Sequence, residues 1–232
     1  MPADEPRSRQ IPRAQLGGKL SFRRRVLGIE DHPRLFIDSS ENPPKLDSLV
    51  PEEAETVEIE VGPGKGAFML AATEVNPQTF LLGIEAAPAY ARYTAQRLDK
   101  AGRDKALVLV DNARLYLRDR VSSGSLDRLH VYFPDPWPKR RHRKRRFFNT
   151  DIAAIIHRAL RPGGLLLTAT DNAAYAGQIA RLLGASDLLT RDESEEQRLI
   201  DLGTGHAFSP TNFEQKYLKE GRVIRRYAFR NA

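Results

Sequence analysis

The chain has 232 residues, of which 41% are hydrophobic and 29% are charged. This length and composition predict one globular domain with an apolar core. The sequence contains no cysteine, which excludes disulfides, thiolate nucleophiles and cysteine-ligated zinc. No apolar run approaches the roughly 18 residues of a membrane span, and residues 1–5 lack the apolar segment of a secretion signal. We therefore expect a cytoplasmic protein.

The positive charge of the chain is concentrated in one place. Lysine and arginine number 37 against 30 aspartates and glutamates, a net charge of +7. The whole excess equals one stretch, residues 139–146, which holds seven lysines and arginines and no acid. We call this stretch the basic tract. A localised excess of this kind is typical of a surface that binds nucleic acid.

The predicted elements begin with a basic N-terminal arm, residues 1–25, that is either disordered or ordered by phosphates. Residues 26–232 form the predicted domain, and residues 34–53 at its start read as loop. Strands are predicted at 56–61, 80–84, 106–110, 126–133, 165–170 and 222–229. Helices are predicted at 65–75, 88–100, 112–120, 148–160 and 172–183. The acid-rich segment 187–196 is interpreted as a solvated face or loop.

The alternation of strands and helices predicts the fold class. The apolar strands lack a polar face, so we expect a mostly parallel sheet covered by helices on both sides. The last predicted strand is expected to be antiparallel. The sequence therefore predicts a doubly wound α/β fold.

A glycine-rich turn follows the first predicted strand, in the sequence Glu-Val-Gly-Pro-Gly-Lys-Gly. Gly62, Gly64 and Gly66 leave the backbone open to close approach by a ligand. This pattern predicts a nucleoside-cofactor site, for either a nicotinamide dinucleotide or S-adenosylmethionine. Glu60 favours S-adenosylmethionine, because an acid before the glycines attracts an amino group and repels a pyrophosphate. Glu85, at the end of the second strand, suits ribose hydroxyls.

Two further groups of polar residues follow predicted strands. Asp111 and Asn112 come after the third strand and are predicted either to read an adenine edge or to cap the next helix. The fourth strand runs into Phe-Pro-Asp-Pro-Trp, residues 133–137, whose prolines fix the backbone around the acid. Ligands of open α/β sheets bind at such strand ends. We expect Asp135 to accept N–H groups of a guanine edge, with phosphates bound by the adjacent basic tract.

These motifs together resemble the bacterial tRNA (guanine-N7-)-methyltransferase family, over roughly residues 57–229. The resemblance rests on the glycine turn, Gly83-Ile84-Glu85, the Phe-Pro-Asp-Pro-Trp motif with its basic tract, Ala169-Thr170-Asp171, and Thr211-Asn212-Phe213-Glu214. It implies a class I methyltransferase fold, Rossmann-like, with a seven-stranded sheet. It also implies S-adenosylmethionine as donor and N7 of a tRNA guanine, usually position 46 of the variable loop, as target.

The resemblance implies roles for individual residues as well. Cofactor positions of the family correspond to Glu60, Glu85, Asn112 and Asp135. Substrate positions correspond to Lys139, Asp171, Thr211, Asn212, Phe213 and Glu214. RNA contacts correspond to Arg141, His142, Arg143, Lys144, Arg145 and Arg146. Asn212 departs from the family, which usually has lysine there, so some affinity is lost or a neighbour such as Lys216 compensates.

The expected chemistry needs alignment more than acid–base catalysis, because guanine N7 carries a free lone pair. Asp135 is the predicted catalytic residue, and Asp171 the second candidate, since a nearby carboxylate stabilises the positive charge that passes to the purine. No metal site is assigned, because the histidines lack paired ligand spacing. Three alternatives stay open: a nicotinamide-dependent oxidoreductase, a non-catalytic RNA-binding protein, and a methyltransferase acting on another base atom.

Overall fold

The computed structural model describes residues 33–38, 42–203 and 212–232. The predicted N-terminal arm lies outside the described residues. So do Thr211 and the side chains of Asn212 and Phe213. The predictions made for these residues therefore stay predictions.

A single sheet of eight strands runs through the described residues. The strands β1 to β8, in chain order, are Phe36–Asp38, Thr56–Val61, Thr79–Glu85, Ala106–Val110, Leu126–Tyr132, Leu160–Thr170, Leu189–Arg191 and Arg225–Asn231. Their order across the sheet is β1-β4-β3-β2-β5-β6-β8-β7. Neighbours from β1 to β6 are parallel, and β8 is antiparallel to both β6 and β7. The predicted fold class is confirmed, with eight strands where the resemblance implied seven.

Helices connect the strands. Within the described ranges the α-helices α1 to α7 are Ala67–Val75, Pro88–Lys100, Ala113–Asp119, Ile152–Ala159, Ala173–Gly184, Glu193–Gly203 and Asn212–Lys219. Two short 3-10 helices lie at Leu46–Ser48 and Arg140–Arg145. In this part of the chain no helix combines the length and the apolar character needed to cross a bilayer.

The apolar strands are buried on both faces, which is why they lack a polar face in the sequence. One core joins residues such as Ile59 and Leu82 of the sheet to α3, α4 and α5. A second core, on the opposite face, joins Leu81 and Val108 to α1 and α2. Pro88 occupies the first turn of α2, where its missing N–H has no intrahelical partner to lose.

The structure differs from the sequence prediction in several segments, two of which add strands to the sheet. β1 lies within the stretch predicted as loop, and it pairs with β4 at the edge of the sheet. The acid-rich segment contains β7 and the start of α6. Glu196 is buried there and forms an ion pair of 2.7 Å with Arg191. Part of the charge that suggested a solvated face or loop thus joins α6 to the sheet.

The strand order predicts a ligand site at the carboxyl ends of the central strands. β2 lies between β3 and β5, so the chain adds strands on one side of β2 and then on the other. Ligand sites of doubly wound sheets form at such a reversal, outside the carboxyl ends of the strands. Glu60 of β2 is opposite His130 of β5. The glycine turn after β2 and the loop after β5 therefore begin side by side.

Candidate active site at the carboxyl edge of the sheet

The glycine turn between β2 and α1 has a left-handed backbone at three positions. The φ angles are 69° at Gly62, 57° at Gly64 and 71° at Gly66, a region that residues with a side chain rarely enter. At Gly66 a Cβ atom would also lie 2.4 Å from Cγ2 of Thr94 on α2. At Gly62 it would meet no described atom within 4 Å. The turn thus packs closely against α2 and is open at Gly62.

Glu85, at the end of β3, connects the glycine turn to α2. Its carboxylate accepts the N–H of Gly64 at 3.1 Å and the N–H of Ala87, the residue before α2, at 2.9 Å. Burial raises the pKa of Glu85, and the negative charge of Asp135 raises it further. The two N–H groups lower the same pKa, but the net shift is upward. A carboxylate oxygen that accepts one N–H group still has a second lone pair, which suits the ribose hydroxyls predicted for Glu85.

Glu60, the penultimate residue of β2, is a buried acid. It is only 3% exposed, and its Oε2 has no hydrogen-bond partner among the described residues. Burial, followed by repulsion from Glu85, raises the pKa of Glu60 well above its ordinary value. An unused buried carboxyl oxygen costs free energy unless a ligand supplies a donor. An ammonium group is such a donor, so the site fits the amino group of S-adenosylmethionine.

Asn112 follows β4 at the same edge and caps α3. Its Oδ1 accepts the N–H of Arg114 at 3.0 Å and of Leu115 at 3.4 Å. Asp111 accepts the N–H of Asn112 at 2.6 Å. The capping interpretation is therefore confirmed for Asn112. The adenine contact of Asp111 and Asn112 stays a prediction. It is supported by their position at the end of β4, next to the end of β3 where Glu85 lies.

The loop after β5 has a strained backbone on both sides of Asp135. Phe133 has a φ of 50° and Trp137 a φ of 38°, unusual values for residues with large side chains. The N–H of Phe133 donates to the carbonyl of Ala169 in β6 at 2.7 Å, which anchors the start of the loop. We call residues 133–137 the aspartate loop.

Asp135 itself is exposed. Burial raises the pKa of Glu85, Tyr175 and Tyr217, and in each case the charge of Asp135 adds to the rise. Glu85 belongs to the glycine-turn side, whereas Tyr175 and Tyr217 belong to α5 and α7. The carboxylate therefore lies within electrostatic range of both sides.

The basic tract follows the aspartate loop after one residue, Pro138. Its residues 140–145 form a 3-10 helix without a buried residue. The guanidinium of Arg145 lies 5.1 Å from the centroid of the Trp137 ring, and the His142 ring meets the same ring edge-on at 5.6 Å. The exposed cations of the tract are Lys139, Arg140, Arg141, Arg143, Lys144 and Arg145. They form a positive surface beside Asp135.

Arg146 differs from the rest of the basic tract in its burial. It is only 7% exposed. Its guanidinium donates to the carbonyls of Pro136 at 2.6 Å and Trp137 at 3.4 Å, and also to the side-chain oxygen of Gln178 on α5. It lies over the ring of Tyr175, 4.9 Å from the centroid. Arg146 thus points inward at the aspartate loop, and its predicted RNA contact stays a prediction.

Asp171, directly after β6, is paired with Arg222. The two side chains approach to 2.7 Å, and the Arg222 guanidinium lies 4.4 Å from the centroid of the Tyr217 ring on α7. Tyr217 in turn meets Phe133 of the aspartate loop edge-on, with 5.5 Å between centroids. The sequence analysis missed Arg222 and Tyr217, because only the folded chain brings them to Asp171.

The first turn of α7 contains Glu214, the last residue of the predicted substrate motif 211–214. Glu214 is 8% exposed and pairs with Arg226 of β8. This pair joins α7 to the sheet, so Glu214 has a structural contact in addition to its predicted substrate contact. The helix begins at Asn212, next to Thr211.

The architecture defines the class of protein. A doubly wound sheet with an antiparallel last strand, a glycine turn after its central strand and acids at the neighbouring strand ends is that of a class I methyltransferase. Residues 54–227 match the family model Methyltransf_4, described as “Putative methyltransferase”. The crystal structure of the aminoglycoside resistance methyltransferase NpmB1 has a similar fold. Its TM-score is 0.51 at 22% identity, covering 81% of this chain and 92% of that chain.

Relatives at higher identity narrow the class to one family. A Nitrosomonas eutropha protein named tRNA (guanine-N(7)-)-methyltransferase is 34% identical over 205 residues, which cover 86% of this chain and 87% of the relative. A Nocardia farcinica protein of the same name is 32% identical over 204 residues, which cover 85% and 75%. The chain belongs to the tRNA (guanine-N7-)-methyltransferase family, as its motifs predicted.

Proposed function

We infer that this protein transfers a methyl group from S-adenosylmethionine to N7 of a guanine in tRNA. One observation supports this most directly: the glycine turn and the aspartate loop follow adjacent parallel strands, with Glu60 opposite His130 in the pair. Methyl donor and guanine would therefore meet at one edge of the sheet, beside an exposed basic surface. Family membership supports the same reaction, since both relatives above carry its name.

The cofactor would lie along the ends of β2, β3 and β4. When bound, it supplies a methyl group already activated on a sulfonium sulfur. Glu60 would accept a hydrogen bond from the amino group of the methionine part of the cofactor. The glycine turn, open at Gly62, would let the cofactor approach the backbone closely. Glu85 would accept hydrogen bonds from the ribose hydroxyls, and Asn112 would contact the adenine edge.

The guanine would lie against the aspartate loop. Asp135 would accept N1–H and the 2-amino group, a pair of donors that adenine does not present. We assign this role to Asp135 rather than to Asp171, because Asp171 is already paired with Arg222. Asp135 would thereby orient N7 toward the methyl carbon, and its charge would stabilise the cationic purine as it forms. No proton has to leave N7.

The tRNA would be held by the exposed cations of the basic tract, which contact phosphates and set the register of the guanine. Following the family resemblance, we propose position 46 of the variable loop as the target. We propose the cytoplasm as the compartment of the reaction.

Mapping the modified nucleoside tests the proposal. The purified protein is incubated with S-adenosylmethionine carrying an isotope-labelled methyl group and an unmodified tRNA transcript, and the digested nucleosides are identified by mass spectrometry. We expect labelled N7-methylguanosine, and none from a transcript with adenine at position 46. Label on an exocyclic amine would favour another base methyltransferase. No label on either transcript would favour a non-catalytic RNA-binding protein.

Calorimetry separates this function from that of an oxidoreductase. We expect S-adenosylhomocysteine to bind and NAD(P) not to bind, because the Glu60 carboxyl beside the glycine turn suits the ammonium group of an amino acid, which NAD(P) lacks. The reverse preference would contradict the assigned cofactor.

A further inference from the structure

Arg146 is the only buried residue of the basic tract. Its backbone N–H donates to the carbonyl of Arg143 at 3.0 Å and so completes the 3-10 helix. Its side chain, however, turns away from the surface shared by the six exposed cations. A buried guanidinium needs acceptors for its donors, and here the aspartate loop provides two consecutive carbonyls.

We propose that Arg146 is a positioning residue that holds the aspartate loop in its active form, while the preceding residues of the tract bind RNA. The kinetic part of this inference rests on the proposed function. The loop needs such support because Phe133 and Trp137 have unfavourable positive φ angles. The planar guanidinium supplies it by binding the carbonyls of Pro136 and Trp137, the two residues after Asp135.

The groups that hold Arg146 are themselves fixed. Gln178 accepts from Arg146 and donates through its side-chain nitrogen to the carbonyl of Phe148 at 2.9 Å. The hydroxyl of Tyr175, whose ring lies under Arg146, accepts the N–H of Phe148 at 3.2 Å. Phe148 is fully buried in the core. Arg146 therefore connects the aspartate loop to a rigid part of the molecule through α5.

This arrangement separates two contributions within one stretch of positive charge. The exposed cations act on tRNA affinity, which depends on salt. Arg146 fixes the position of Asp135, and that position affects kcat. A residue that binds no phosphate contributes nothing to the slope of log affinity against log salt concentration.

The test compares Arg146→Lys with Arg143→Gln. Lysine keeps the charge of Arg146 but lacks the planar fork that binds two carbonyls at once. Trp137 is the only tryptophan of the chain, so its fluorescence reports on the loop without any substrate. For Arg146→Lys we expect stronger acrylamide quenching of Trp137 and a kcat lowered by about tenfold or more. The KM for tRNA and the salt slope are expected to stay unchanged.

Arg143→Gln is the matched change at an exposed cation. We expect it to raise the KM for tRNA and to reduce the salt slope by about 0.7–0.9, the value of one phosphate contact. Quenching of Trp137 should stay as in the unchanged protein. Arg146→Gln completes the comparison: if it reduces the salt slope as Arg143→Gln does, Arg146 is a phosphate contact and the proposal is overturned. If Arg146→Lys leaves quenching and kcat unchanged, the proposal is also overturned.

A second variant covers the case in which Arg146→Lys does not fold. Gln178→Leu removes one acceptor of the Arg146 guanidinium and leaves Arg146 itself in place. We expect the same direction of change in Trp137 quenching and in kcat, and unchanged values would again overturn the proposal. Absence of methyl transfer by the unchanged protein would contradict the proposed function alone, because the quenching comparison needs neither cofactor nor tRNA.

Discussion

At the scale of single residues, Asp135 offers the most direct test of base recognition. Asp135→Asn keeps the size of the side chain but removes its charge. We expect kcat/KM for tRNA to fall by about tenfold to a hundredfold, since a charge-assisted hydrogen bond contributes ~1.5–3 kcal/mol. Methyl-transfer kinetics measure the loss. Asp187→Asn, at an exposed acid before β7, is the control and should leave turnover unchanged. Normal turnover by Asp135→Asn would contradict the assignment.

Glu60 should make cofactor binding depend on pH. Burial and repulsion from Glu85 raise its pKa in the protein without ligand, whereas a bound ammonium group favours the ionised carboxylate. Binding therefore releases a proton, and affinity increases with pH until the pH passes the raised pKa of Glu60. Calorimetry with S-adenosylhomocysteine in two buffers of different ionisation enthalpy measures this release. Glu60→Gln should abolish it, and an undiminished release from that variant would exclude Glu60 as the source.

Sequence reasoning located residues more reliably than it assigned their contacts. It found the glycines and Glu85, because their spacing reflects the length of one strand and one helix. It could not distinguish Arg146 from Arg145, since identical side chains in a run of cations carry no signal of which one turns inward. The Asp171–Arg222 pair joins residues far apart in the chain, so no local pattern predicts it.

At the scale of elements, the basic tract should act on RNA and not on the cofactor. We expect replacement of Arg143, Lys144 and Arg145 by glutamine to lower the salt slope of tRNA binding by about 2–3, because each lost phosphate contact removes about 0.7–0.9. Filter binding at several salt concentrations measures the slope. Cofactor affinity, measured by calorimetry, is the control and should not change. Equal losses in both would indicate that the variant is misfolded.

Short edge elements were the hardest to predict. β1 and β7 have three residues each, too few for a hydrophobic alternation to be recognised. Both depend on partners elsewhere in the chain, β4 for the first and β8 for the second. The central strands were predicted well because burial on both faces makes them continuous apolar runs.

At the scale of the whole molecule, Asn231 links β8 to the start of β6. It is 4% exposed, and its amide donates to the carbonyls of His157, Leu160 and Arg161 at 3.2, 2.8 and 3.1 Å. We expect Asn231→Ala to lower the free energy of unfolding by about 1–3 kcal/mol, because the buried carbonyl of Leu160 and its two neighbours lose their donor. Urea denaturation measures the change. Asn76→Ala, at an exposed turn, is the control and should change it by less than about 0.5 kcal/mol.

The position of β8 between β6 and β7 has a consequence for biosynthesis. β7 joins the sheet only through β8, although the ribosome makes β7 first. Each of the strands β3 to β6 can pair with a strand made before it, and β4 also completes the pair with β1. In contrast, β7 must wait for β8, which is translated last. During that interval the free edge of β6 is exposed, and a nascent chain stalled before β8 presents an unpaired strand to which chaperones or other chains can bind.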